Sequence, residues 1–146
     1  MEESSKEKIV ADAVARMDEN YHCSEAILLA VQKHYILDLD LLAVRLSSPF
    51  AGGVGCTHME LCGALAGGLL VIGALYGRED AHSNDDLCQK LAAGWRERFL
   101  RGFGYTRCRD LRDNWVGQPA QADCRTLVAR ATGLLVDFLE EAAGKG

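Results

Sequence analysis

From Leu61 to Tyr76 the chain runs for 16 residues without a charged side chain, and apolar or small residues stand on every side of the helix that this run predicts. Such a helix has no face to offer to water and must be surrounded. A bilayer would surround it, but a span needs about 20 apolar residues, and the flanking segments read as amphipathic. The run therefore predicts a central core helix against which other helices pack. It also contains Gly63 and the pair Gly67-Gly68. Glycine inside a helix costs about 0.5–1 kcal/mol relative to alanine, so the adjacent pair predicts a close approach to the backbone, either by another helix or by the partner sulfur, metal or substrate of Cys62.

Helical spacing recurs along the rest of the chain. Ser4 and Glu7 form a capping-box pattern ahead of Ile9, Val10, Ala13, Val14 and Met17, which predicts a helix from about Ser5 to Glu19. Cys23, Ile27, Ala30, Val31 and His34 fall on one face of a second helix, with the cysteine in its first turn. Asp38 or Asp40 caps a short third segment that ends near Ser47-Ser48-Pro49, since proline disfavours helix in the residue before it. After the glycine-rich Ala51–Cys56 connection, Thr57 and Glu60 repeat the capping pattern. They predict that the core helix opens there and continues through Cys62 to about Tyr76, with His58 and Cys62 four residues apart on one face.

Ser83 and Asp86 give the pattern a third time, before a helix lined by Leu87, Leu91, Trp95 and Phe99 and closed by Phe103-Gly104-Tyr105. Thr106 caps a short helix with Cys108 and Leu111, a loop passes through Gly117-Gln118-Pro119, and a last helix carries Cys124, Leu127, Val128, Ala131, Leu134, Leu135 and Phe138 inward before stopping at Gly144. No segment alternates with the two-residue period of a strand. The expectation is one all-α domain over residues 1–146, a bundle of about five to seven helices.

The 146 residues include six cysteines and carry a formal charge of −5. The acidic balance argues against a broad grip on nucleic acid. The N-terminal residues lack the pattern of a signal peptide, which predicts a cytoplasmic location, where thiols are normally reduced and several cysteines point to chemistry or metal more than to static bridges. Five of the six lie near expected helix starts, where free amides favour thiolate: Cys23, Cys56, Cys62, Cys108 and Cys124. Arg107 and Arg109 flank Cys108, with Arg101 and Arg112 nearby. Cys88 reads as a small core residue beside Leu91 and Trp95. No CxxC or CxxCH is present, and Gly53-Val54-Gly55 is not completed to a phosphate-binding fingerprint.

Cys62-Gly63-Ala64-Leu65-Ala66-Gly67 has the form CGAxxG. With Cys23 before it and Cys108 and Cys124 after it, the chain resembles the C_GCAxxG_C_C family of redox-active proteins, from about Asn20 to Cys124. The resemblance implies a redox role for Cys23, Cys62, Cys108 and Cys124; Cys56 and Cys88 are additions to the pattern. Members encoded beside transporter genes imply a redox partner or a transporter-associated protein.

In the thiol–disulfide reading Cys62 is the first nucleophile, His58 favours its thiolate, and Cys23, Cys108 and Cys124 are candidate resolving thiols. The alternative is a metal-handling protein without catalysis. There Cys56, His58 and Cys62 hold zinc, copper(I) or an iron–sulfur cluster, although the sequence itself requires no cofactor. A third reading makes the cysteines packing residues of an interaction module. The glycine-bearing apolar helix also suits packing across a two-fold axis, which would make a homo-oligomer.

Overall fold

The computed structural model describes residues 3–35, 38–118 and 123–144, without the side chains of Glu3 and Ser4. Seven α-helices and one 3₁₀ turn follow one another among these residues: α1 (Glu3–Asp18), α2 (Cys23–Tyr35), α3 (Leu41–Ser47), the 3₁₀ turn (Ser48–Phe50), α4 (Gly63–Tyr76), α5 (Asp86–Phe103), α6 (Cys108–Asn114) and α7 (Cys124–Gly144). The all-α class and the helix number match the expectation. There is no strand among the described residues, but Leu61 and Arg107 form one isolated antiparallel bridge. No described helix is long and apolar enough to cross a membrane.

The charge-free helix is the centre of the fold. α4 packs against α2, α5, α7 and α3, and Gly63 through Gly68, Val71 and Ile72 are all buried. Its glycines set how closely the neighbours come. A Cβ on Gly67 would collide with the Ile27 side chain and lie 2.9 Å from the Ser24 carbonyl of α2, and one on Gly68 would collide with the Trp95 indole of α5. Trp95 is fully buried and donates its indole N–H to the Leu65 carbonyl at 3.1 Å, so its polar atom is satisfied inside the core. Gly67 and Gly68 thus serve packing within the chain, which removes them as the ground for packing across a two-fold axis.

Several local expectations are corrected. α1 begins at Glu3, so Ser4 lies inside the helix; its side chain, like Pro119 of the later loop, lies outside what is described. The cap expected for α3 is present, with Asp40 accepting the Leu42 N–H. α5 starts after a turn in which Ser83 binds Asp80 and Asn84 accepts the Asp86 N–H, so Ser83 is not its cap. Leu87 and His34 are exposed instead of facing the core. Arg107, not Thr106, precedes α6, and it makes no side-chain cap. The Thr106 carbonyl instead accepts the Cys62 N–H at 2.8 Å.

The largest correction concerns residues 57–62, which are not helical. α4 opens at Gly63 with Cys62 as its N-cap. Upstream, Gly52, Gly53, Val54, Gly55 and Cys56 all have positive φ, between 54° and 72°, and His58 follows at 64°. This is a left-handed turn, a conformation disfavoured for residues with a Cβ. It is held by backbone bonds within the loop, His58 N–H to Gly52 O and Glu60 N–H to Gly53 O, and by bonds across to α6, Cys108 N–H to Glu60 O and Arg109 N–H to His58 O. A capping-box pattern cannot compete with that network, because its two side-chain bonds are fewer than the backbone bonds that the turn satisfies.

Candidate functional site

Each of the four cysteines that carry the resemblance stands at a helix start. Cys23, Cys108 and Cys124 are the first residues of α2, α6 and α7, and Cys62 is the residue before α4. These starts converge. Cys23, Cys62, Cys108 and Cys124 line one cavity of about 50 Å³, together with Gly52, Gly63, Arg112 and an apolar wall that includes Leu111, Leu127 and Val128. Residues separated by a hundred positions in the sequence therefore share one small space.

Local structure explains how each sulfur arrives. The antiparallel bridge between Leu61 and Arg107 ties the strip before α4 to the strip before α6 and brings Cys62 and Cys108 to the same side. The buried Ser24 hydroxyl donates to the Ser47 carbonyl at 2.9 Å, which anchors the start of α2 beside Cys23. Gly63 completes the arrangement, because the Cys23 sulfur occupies the place where a Cβ of Gly63 would stand. The glycine after Cys62 is thus needed for sulfur approach, whereas the adjacent pair Gly67-Gly68 meets other helices.

Cys62 is 6% exposed and Cys108 8% exposed, Cys23 and Cys124 are partly buried, and all six cysteines are free thiols. Two opposing forces act on the cluster. Amides at helix starts favour thiolate, whereas burial in an apolar cavity favours the neutral thiol. Burial wins. It pushes Cys62 up to about 12, with the neighbouring Cys23 adding to the rise and the amides of Ala64 and Leu65 opposing it. Cys108 is pushed up to about 11, first by burial and then by Cys23, with the Arg112 guanidinium pulling the other way. Cys23 is also raised by burial, against the Gly52 amide. The expected lowering of these thiols by helix starts is overturned: at neutral pH the buried sulfurs hold their protons, and one deprotonates only at the expense of the others.

The other candidates stand apart. Cys56 is exposed on the left-handed turn, and Cys88 packs partly buried against the core beside Leu91. His58 sits in the loop with positive φ, does not line the cavity, and shares no helix face with Cys62. Cys56, His58 and Cys62 are therefore not gathered as a ligand set, and among the described residues no group of three or more His, Cys, Asp or Glu side chains is placed to hold a metal ion. Of the arginines near Cys108, Arg112 faces the cavity, and Arg107 pairs with Asp110. The i, i+4 spacing of Cys108 and Arg112 on one short helix was the available signal for that role. Nothing local marked Gly52, whose amide faces Cys23.

No curated protein and no solved structure matches the chain significantly. The family model described as "Putative redox-active protein (C_GCAxxG_C_C)" matches residues 21–138, a span that contains all four cavity cysteines. By that match, the chain belongs to the C_GCAxxG_C_C family of redox-active proteins.

Proposed function

We propose that this protein is a two-electron thiol–disulfide redox protein and that the four-cysteine cavity is its redox centre. The observation that carries the reading is the meeting of Cys23, Cys62, Cys108 and Cys124 around one cavity. Its volume of about 50 Å³ exceeds the roughly 10–15 Å³ that a cavity needs to hold one water. Sulfur–sulfur bonding or a molecule the size of peroxide fits such a space.

Cys62 and Cys23 are the pair best placed to bridge, because the Cys23 sulfur is seated against the backbone of Gly63, the residue after Cys62. With peroxide as oxidant, the Cys62 thiolate attacks one oxygen, the O–O bond breaks, and water leaves a sulfenic acid. The Cys23 sulfur then attacks the Cys62 sulfur, the S–O bond breaks, and a second water leaves a disulfide. Two thiols lose two electrons and two protons in total, and peroxide becomes two waters. The apolar wall favours both end states, since thiol and disulfide are each uncharged and only the transient thiolate is costly in this setting.

Intact mass after mild diamide treatment tests this. The wild-type protein is expected to lose two hydrogens per bridge, Cys88→Ser to behave the same, and Cys62→Ser to lose the Cys23–Cys62 bridge on peptide mapping. Six free thiols in treated wild-type protein would overturn the reading.

A further inference from the structure

The redox centre just proposed has an access problem. Its two most buried thiols, Cys62 and Cys108, are more than nine-tenths buried, and the other two, Cys23 and Cys124, are partly buried, so none of the four is freely open to a partner's thiol. Thiol–disulfide exchange requires one sulfur to reach another along the axis of the bond being broken. Something must carry the exchange outward.

The left-handed turn Gly52–Cys56 borders this cavity through Gly52. Gly52 is part of the lining, and a Cβ built on it would be 3.4 Å from the Cys56 sulfur. The adjacent Gly53 packs onto α6 so closely that its Cβ would be 2.6 Å from the Cβ of Cys108. Cys56 and Cys108 thus flank the same two-residue strip, one outside and one inside. Cys108 also feels the charge of Cys56, which adds to its raised pKa. Cys56 itself is exposed, and its sulfur stands on a backbone with φ of 56°.

We propose that Cys56 is a fifth redox thiol, the external exchange residue that passes electrons from a dithiol or thiol reductant in solution to the buried cluster by way of Cys108. This rests on the four-cysteine reading above. Starting from a Cys23–Cys62 disulfide, the Cys108 thiolate attacks the Cys23 sulfur, forming Cys23–Cys108 and releasing Cys62. The Cys56 thiolate attacks the Cys108 sulfur, forming Cys56–Cys108 and releasing Cys23. An external thiolate then attacks Cys56 and releases Cys108, and a second external thiolate attacks the mixed disulfide and releases Cys56. Each step breaks one S–S bond and forms one. In sum, two external thiols become one disulfide, and their two protons and two electrons end on Cys23 and Cys62.

The test uses the whole protein with glutathione as the probe. After diamide oxidation, re-reduction of the cluster by glutathione is followed by quenched intact mass in wild type, Cys56→Ser and Cys88→Ser. Cys56→Ser is expected to oxidise as fully as wild type but to re-reduce about tenfold or more slowly, because the direct route to a buried disulfide is hindered. Diamide-treated Cys23→Ser is expected to accumulate a Cys56–Cys108 bridge on peptide mapping, since the thiol that would resolve it is gone. Equal re-reduction rates for Cys56→Ser and wild type, equal slowing by Cys88→Ser, or no bridge to Cys56 in Cys23→Ser would each overturn the relay while leaving the four-cysteine centre standing. Wild-type protein that diamide leaves reduced overturns the centre and the relay together.

Discussion

A buried thiol is a poor nucleophile until it gives up its proton, and Cys62 holds its proton up to about 12 because burial disfavours the charge. This has a consequence for stability. Below the ordinary value of 9.0 the thiol is protonated in the folded and the unfolded chain alike, and pH has no leverage through it. Above that value the unfolded chain releases the proton while the fold retains it. The folded state then binds more protons, so stability falls as pH rises, from about 9 to about 12 for Cys62 and to about 11 for Cys108. Urea midpoints measured from neutral pH to about pH 10.5 are expected to stay level and then fall, and Cys62→Ser is expected to flatten the falling limb. An unchanged limb in Cys62→Ser would show that the thiol is not buried as described. The close-packed setting of Cys62 was legible in the sequence from its neighbours, Gly63 and the small residues after it. Its protonation was not, because a helix start is a local feature and the apolar wall that outweighs it comes from α6 and α7.

Helices with a regular apolar face, such as α7 and the second half of α5, were legible because the spacing of their buried residues is a property of the segment itself. The entry to α4 was not. Thr57 and Glu60 imitate a capping box, but their backbone is committed to Gly53, Val54 and Cys108, partners that no local pattern reveals. At this scale the two glycines of CGAxxG have different duties. Gly67 lets α2 cross α4 at Ile27, and Gly63 admits the Cys23 sulfur. Alanine at either position overpacks the crossing and is expected to cost about 1–3 kcal/mol in urea unfolding. Only Gly63→Ala is also expected to suppress the Cys23–Cys62 bridge under diamide, because the added methyl takes the space of the sulfur. If Gly67→Ala suppressed the bridge equally at matched stability, the distinction between packing glycine and sulfur-seating glycine would fail.

Across the whole molecule, four helices deliver their starts to one place, and the central apolar helix provides the fixed reference for the others. α2 and α7 both pack on α4, and α6 is joined to the strip before α4 through the Leu61–Arg107 bridge. The sequence marked the four cysteines and the core helix, yet it left open which thiols meet, since that depends on how α2, α6 and α7 are arranged around α4. A cooperative two-electron centre is expected, and a redox titration in dithiothreitol buffers, read by intact mass and peptide mapping, measures it. The predicted result is a single transition with a slope of about 30 mV per tenfold change in the dithiol–disulfide ratio, a loss of two hydrogens, and a bridge joining Cys23 to Cys62. Six free thiols at the oxidising end, or a bridge built on Cys88, would contradict it.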